Sequence, residues 1–152
     1  MNAPVRLAPV VTAFDPRDAG ERSALAQFVA DEGGSLFHLP QWLGAVERGT
    51  GQREGGFIAR QLGAVTGWLP LTEVRSALFG KALVSSGFGV GGGILASNPE
   101  AASSLARAAM DYAGAKGFAS IELRGGPIPE GWASWDDKHC GFERALASDD
   151  DA

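Results

Sequence analysis

Residues 57–74 read as a β-hairpin, and that hairpin limits the architectures open to the chain. Phe57-Ile58-Ala59-Arg60 and Ala64 to Val74 have strand-like composition, and Gln61-Leu62-Gly63 between them has the chemistry of a tight turn. Strands joined this closely run antiparallel, whereas a parallel pair needs a crossover of a dozen residues or more. Helical patterns lie before and after the hairpin. The arrangement predicts an α/β (α+β) fold with a mixed, largely antiparallel sheet flanked by helices, not a doubly wound parallel sheet.

The rest of the chain fills in around that centre. Val5 to Phe14 reads as a first strand. Asp15-Pro16 supplies an N-cap and a proline at the first helical position, and Ala24, Leu25, Phe28 and Val29 recur at helical spacing until Gly33-Gly34. Leu36-Phe37-His38 reads as a short extended piece. A second helix starts at Pro40, carries Trp42, Leu43 and Val46 on one side, and stops between Gly49 and Gly51. Pro70, inside the second hairpin arm, predicts a bulge or kink there. Ala82 to Ser85 is another short strand. Asn98-Pro99 opens the clearest helix, with Ala101, Leu105, Ala108, Ala109 and Tyr112 on its buried face and Gly117 at its end. Phe118 to Arg124 reads as a strand, Gly125 to Trp135 as a loop, and His139 to Leu146 as a last strand with Cys140 half-buried on it. The predicted order is β-α-α-β-β-β-α-β-β, one domain over residues 1–147 with an acidic tail at 148–152.

Bulk properties exclude several classes of function. At 152 residues, with 45% hydrophobic and 20% charged side chains, the chain holds one domain and a real core. Acids outnumber bases 18 to 13 and no Lys/Arg cluster occurs, so the footprint of a DNA-binding protein is missing. Met1 to Arg6 lacks the pattern of a signal peptide, and no stretch approaches the ~20 apolar residues of a membrane span. A cytoplasmic location without membrane insertion is expected. A single cysteine excludes an internal disulfide.

Gly87-Phe88-Gly89-Val90-Gly91-Gly92-Gly93 is the most unusual local composition. Taken literally, Gly87-x-Gly89-x-x-Gly92 matches a dinucleotide fingerprint. That chemistry needs a helix directly after the glycines and an acid about 20 residues on; here the helix starts late, at Pro99, and Glu122 lies inside a strand. The run is either a bulged loop between strand segments or a place where backbone amides approach a ligand closely. No Walker lysine and no Gly-x-Ser-x-Gly elbow are present. Two distant histidines and one cysteine give no metal site. His38 stands beside aromatics at a helix start, where a structural role is the ordinary one. Glu122 and Arg124 alternate with Ile121 and Leu123, so both charges share one strand face. Arg75-Ser76 either contacts an anionic group or is an exposed turn.

Several of these segments together resemble the first domain of FemAB-type proteins, in the branch found beside exosortase/PEP-CTERM systems of Gram-negative bacteria. The resemblance rests on Phe37-His38-x-x-x-Trp42, Gly67-Trp68-Leu69-Pro70-Leu71, Val74-Arg75-Ser76-x-x-Phe79-Gly80, Leu83-Val84-Ser85-x-x-Phe88-x-x-Gly91-Gly92 and Ile121-Glu122-Leu123-Arg124. It runs in order from about Val11 to Leu146. It departs from the family where Gly87 and Val90 replace a proline and a tyrosine, and the acyl-CoA pyrophosphate loop before a helix is absent.

The resemblance implies a GNAT-like domain of an acyl- or aminoacyltransferase acting on an amine acceptor, a small molecule or peptide of the cell envelope or linked to exopolysaccharide. The donor would be acyl-CoA or aminoacyl-tRNA, with no tightly bound cofactor. In that family the first domain chiefly holds the acceptor. The chain is therefore expected to be incomplete without a second GNAT-like domain, or to rebuild it with a second copy of itself. Arg75, Ser86, Phe88, Gly91, Gly92, Glu122 and Arg124 are placed around the acceptor, with His38 and Trp42 supporting the wall. No residue is assignable as general base. The alternative is a non-catalytic half-domain that binds a ligand or dimerises.

Overall fold

The computed structural model of the chain describes residues 7–78 and 80–135. Three helices cover a sheet of six strands, in the order β1 (Val10–Ala13), α1 (Ala19–Asp31), α2 (Pro40–Thr50), β2 (Arg53–Gln61), β3 (Ala64–Ser76), β4 (Gly80–Ser85), β5 (Leu95–Ala96), α3 (Pro99–Lys116) and β6 (Ser120–Glu122). The strands lie β1-β2-β3-β4-β6, with β5 also on β3. All pairings are antiparallel except β4 with β6, where α3 makes the crossover that parallel strands need. The mixed, largely antiparallel sheet expected from the hairpin is the observed one.

Two apolar clusters hold the layers together, one on each sheet face. Leu69, Leu71 and Leu83 meet Ala101, Leu105, Ala109 and Ala113 of α3. On the other face Ile58 and Trp68 meet Leu25, Phe28 and Val29 of α1 and Leu43 of α2. Each fully buried leucine contributes about 1.5–3 kcal/mol. Trp68 is completely buried because its indole N–H finds an acceptor, the His38 carbonyl at 2.7 Å, and its ring takes Phe14 edge-on at 5.2 Å.

Several local expectations are corrected. Val5 and Arg6 lie outside the described residues, and the first strand begins at Val10, with Leu7 to Pro9 irregular rather than extended in the sheet. The cap of α1 is Asp18, whose side chain accepts from Glu21 N; Asp15 instead turns back on Arg17. Leu36–His38 is one turn of 3₁₀ helix, not extended, because Ser35 and His38 cap each other. Pro70 stays in register with Gly56 of β2, and the irregularity in that pair lies at Ala59/Arg60. The disturbance at Pro70 falls on its other side. Between Leu71 and Trp68 β3 advances three residues, while the facing strand advances ten, from Ser85 to Leu95, so seven residues are extruded. The proposed strand at His139–Leu146, Cys140 and the acidic tail lie outside the described residues, as does Phe79.

Candidate functional site

The extruded segment is the glycine run, and it is the centre of the candidate site. It is a held loop. Gly87 N donates to Thr72 Oγ1 at 3.0 Å, Trp42 Nε1 to Gly87 O at 3.2 Å, and Gly89 N to Ser86 O at 3.0 Å. The buried Ser86 hydroxyl donates to the Phe37 carbonyl. Arg124 Nη1 donates to Gly89 O at 2.7 Å, and its own amide donates to Ser85 Oγ at 2.7 Å. Phe37 meets Trp42 edge-on at 4.9 Å and closes the wall beneath the loop.

The loop backbone is strained. Ser86 and Phe88 adopt φ of 48° and 63°, a region that costs side-chain-bearing residues about 1–3 kcal/mol each. Gly92 has φ of 92°, and a Cβ there would stand 2.5 Å from Ser86 Cβ. At Gly93 the constraint is contact: an added Cβ would lie 1.8 Å from the Gly125 carbonyl oxygen. That close approach lets Gly93 N donate to Arg124 O at 2.9 Å, which ties the loop's return to the end of β6. At the tip, Phe88 and Val90 stand exposed. The amides of Val90 and Gly91 donate to no group among the described residues.

The sequence-predicted residues separate into two places. Ser86, Phe88, Gly91 and Gly92 form the loop, Arg124 braces it, and Glu122 accepts from Arg124 Nε at 2.6 Å. Both charges share one face, and Glu122 is largely in water, its side chain 56% exposed. His38 and Trp42 are adjacent to this group. Burial lowers the His38 pKa, with hydrogen bonding to the backbone of Gly93 and Ser35 opposing it. The ring accepts from Ser35 N at Nδ1, so a bridging role under the loop suits it. Arg75 stands apart. It pairs with Lys81 at the far end of β3, five residues from Pro70 or roughly 16 Å along the strand, and its Nη2 donates to Glu73 at 2.8 Å. The structure does not bring it to the loop.

Sequence reasoning missed Thr72, Ser85 and Glu73. Glu73 is a buried carboxylate on the α3 face of β3, accepting from Tyr112 Oη at 2.5 Å as well as from Arg75. Its signal was the alternation Leu69, Leu71, Glu73, which puts an acid at an inward position facing the helix that carries Tyr112. Thr72 and Ser85 carry no comparable signal, because a small hydroxyl in a strand is unremarkable until its partner is known.

At the start of α3 the Asn98 side chain accepts from Ala101 N, Pro99 has no N–H, and Glu100 adds negative charge to the first turn. A phosphate wants free amides and positive charge at a helix start, and this one is spent. Beside α3, a groove of about 710 Å³ runs between Ala102, Ala106 and Met110 on one side and Pro129 and Trp132 on the other. No group of metal-ligating side chains occurs among the described residues. None of their helices is long and apolar enough to cross a membrane.

A sheet of this kind, with one parallel pair bridged by α3 and two helices on the other face, superposes on solved structures. The fold is that of the GNAT acetyltransferases. A ribosomal-protein-alanine N-acetyltransferase from Brucella melitensis biovar Abortus 2308 superposes with a TM-score of 0.57 at 16% identity, over 90% of this chain and 100% of its own. A GNAT family acetyltransferase from Staphylococcus aureus subsp. aureus USA300_TCH1516 gives 0.55 at 13% identity, covering 92% and 100%. An aminoglycoside acetyltransferase from an uncultured soil metagenomic sample gives 0.54 at 13%, covering 93% and 100%. No protein-family profile matches the sequence, and no curated protein does. At these identities the likeness is one of GNAT fold.

Proposed function

We propose that this chain is an acyltransferase domain of FemAB type that holds the amine acceptor, while the acyl-CoA or aminoacyl-tRNA donor is held chiefly by a second GNAT-like domain or a second copy. The observation that carries this reading is the pairing of a braced, glycine-rich loop with a spent helix start. The loop offers the Val90 and Gly91 amides and the Glu122–Arg124 pair to a polar acceptor. The start of α3 offers a donor's pyrophosphate no free charge-bearing seat. Catalysis on such a site works by positioning the amine against an activated carbonyl, with amides polarising the carbonyl oxygen. In this reading Glu122, paired with Arg124 but largely in water, shares its charge with the acceptor's ammonium group, and Arg124 keeps the loop in shape. Cell-envelope peptides and exopolysaccharide-linked amines are the acceptors this reading names, in the cytoplasm.

Titration calorimetry tests it, with a lysine-containing cell-wall precursor peptide in one arm and acetyl-CoA in the other. Saturable peptide binding without acetyl-CoA binding is expected. Tight binding of acetyl-CoA by this chain alone would move the donor here and overturn the division of labour. Binding of neither would remove the transferase reading.

A second reading, a binding half-domain that self-associates, draws on Phe88 and Val90, which stand exposed on a loop too braced to fold them away. Sedimentation at rising concentration separates the two, since Phe88→Ser abolishes a dimer only if the loop tip forms it.

A further inference from the structure

A second cleft, of about 780 Å³, shares no lining residue with the glycine loop. That volume suits a small organic ligand. Its floor is apolar, made by Phe57, Leu71 and Leu83 with Phe14 beside them. The floor lies open because Gly55 faces it: a Cβ built there meets nothing nearer than the Leu71 carbonyl oxygen, at 4.0 Å.

The rim bears both signs of charge, and three of its four acids are already held by cations or a phenol. Asp15 is held by Arg17 at 3.2 Å, Glu54 by Arg22 at 3.4 Å, and Glu47 accepts the Glu54 amide at 2.7 Å. Glu73 takes both Tyr112 and Arg75. Arg53 and Lys116 line the same cleft, and neither side chain makes a hydrogen bond or a close ion pair among the described residues. Arg53 also lies close enough to act electrostatically on both Glu73 and Tyr112. The C-terminal end of α3 would oppose an anion, but Lys81 Nζ donates to the Lys116 carbonyl at 3.2 Å and offsets that end's partial charge.

We propose that this cleft binds a small organic carboxylate, with its apolar body on Phe57 and Leu71 and its carboxylate on Arg53 and Lys116. A guanidinium fork matches a carboxylate geometrically. The four rim acids disfavour a dianion such as a phosphate monoester, because two free cations cannot screen a second charge from them. The cleft shares no lining residue with the glycine loop, so it is independent of the acceptor reading.

Calorimetric titration with 4-phenylbutyrate, its uncharged amide, 4-phenylbutylamine and 3-phenylpropyl phosphate tests the assignment. The carboxylate is expected to bind at least about tenfold tighter than the amide, the effect of one charge-assisted hydrogen bond, with the phosphate weaker than the carboxylate and the amine unbound. Arg53→Met is expected to weaken the carboxylate about tenfold; because Arg53 is exposed the variant keeps the parent's circular dichroism, and its melting temperature falls only slightly as Glu73 loses one supporting charge. Gly55→Val fills the floor with a strand-favouring side chain and is expected to abolish binding without loss of stability. Equal binding of carboxylate and amide, preference for the amine or the phosphate, unchanged affinity in Arg53→Met, or no saturable uptake of the carboxylate would each overturn the proposal. Peptide binding at the loop, measured in the same variants, stays unchanged if the two sites are separate.

Discussion

The Tyr112 phenol donates to Oε1 of Glu73 at 2.5 Å, and this bond pins the last turns of α3 to the middle of the sheet. Burial alone would raise the Glu73 pKa. The hydrogen bonds from Tyr112 and Arg75, with the charges of Arg53 and Arg75, outweigh burial and hold it below 4.5. A carboxyl depressed on folding stabilises the fold above its ordinary pKa, and that stabilisation is lost as pH falls through the lowered folded value.

Tyr112→Phe therefore costs about 1.5–3 kcal/mol at pH 7, the range for a hydrogen bond to a charged group. Urea denaturation from pH 7 down to pH 3 checks it. The gap between parent and variant narrows as pH falls below 4.5, because protonation removes in the parent what the substitution removed already. A constant gap across that range contradicts the coupling.

The loop supplies a contrast between neighbouring glycines. Gly93→Ala meets the Gly125 carbonyl, a backbone atom that cannot swing aside, and costs about 3 kcal/mol or more, the upper end of overpacking. Gly91→Ala meets the Phe37 ring at 3.5 Å and Ser35 Oγ at 3.8 Å, both ordinary contacts, and falls within about 0.5 kcal/mol of the parent. Thermal melts of the two variants check it: a Gly93→Ala melt as high as that of Gly91→Ala contradicts the prediction.

Arg124→Met releases Gly89 O and Glu122 together. The pair is partly in water, so global stability falls by no more than about 1 kcal/mol. Hydrogen exchange in residues 86–94 speeds markedly while the sheet amides keep their protection, and affinity for the acceptor peptide drops with it. Unchanged loop exchange would mean that Arg124 is not the brace.

His38 gives the fold a second pH limb, close to neutrality. Burial lowers its folded pKa below 6.5, so the unfolded chain takes the proton first. Stability then falls as pH drops below 6.5 and levels off beneath the lowered folded value. His38→Gln flattens that limb between pH 7.5 and pH 5. An equally steep limb in the variant would assign it to another group.

The hairpin, three helices and mixed sheet were legible because each rests on local signals: alternation, proline at a helix start, glycine at a helix end. The N-cap of α1 was misplaced because Asp15-Pro16 and Asp18 offer the same chemistry three residues apart, and only Glu21 N decides between them. Glu122 and Arg124 could be placed on one face by counting. That Arg124 reaches Gly89 could not, since the contact joins residues 35 apart through the path of the loop. Arg75 looked like a companion of the glycines in sequence order, yet β3 is long enough to carry it to the far end of the sheet.

Register on the two sides of Pro70 is fixed by two independent sets of pairs, Leu71 to Ser76 with β4 and Gly67-Trp68 with β5. What lies between Ser85 and Leu95 answers to neither set. Within it Phe88 and Val90 stand exposed, so the tip can be varied while the bonds of Ser86, Gly87 and Gly93 and both anchoring ladders stay in place. The scaffold behaves as a socket, and a library varied at those two tip positions would change recognition without asking the domain to fold anew.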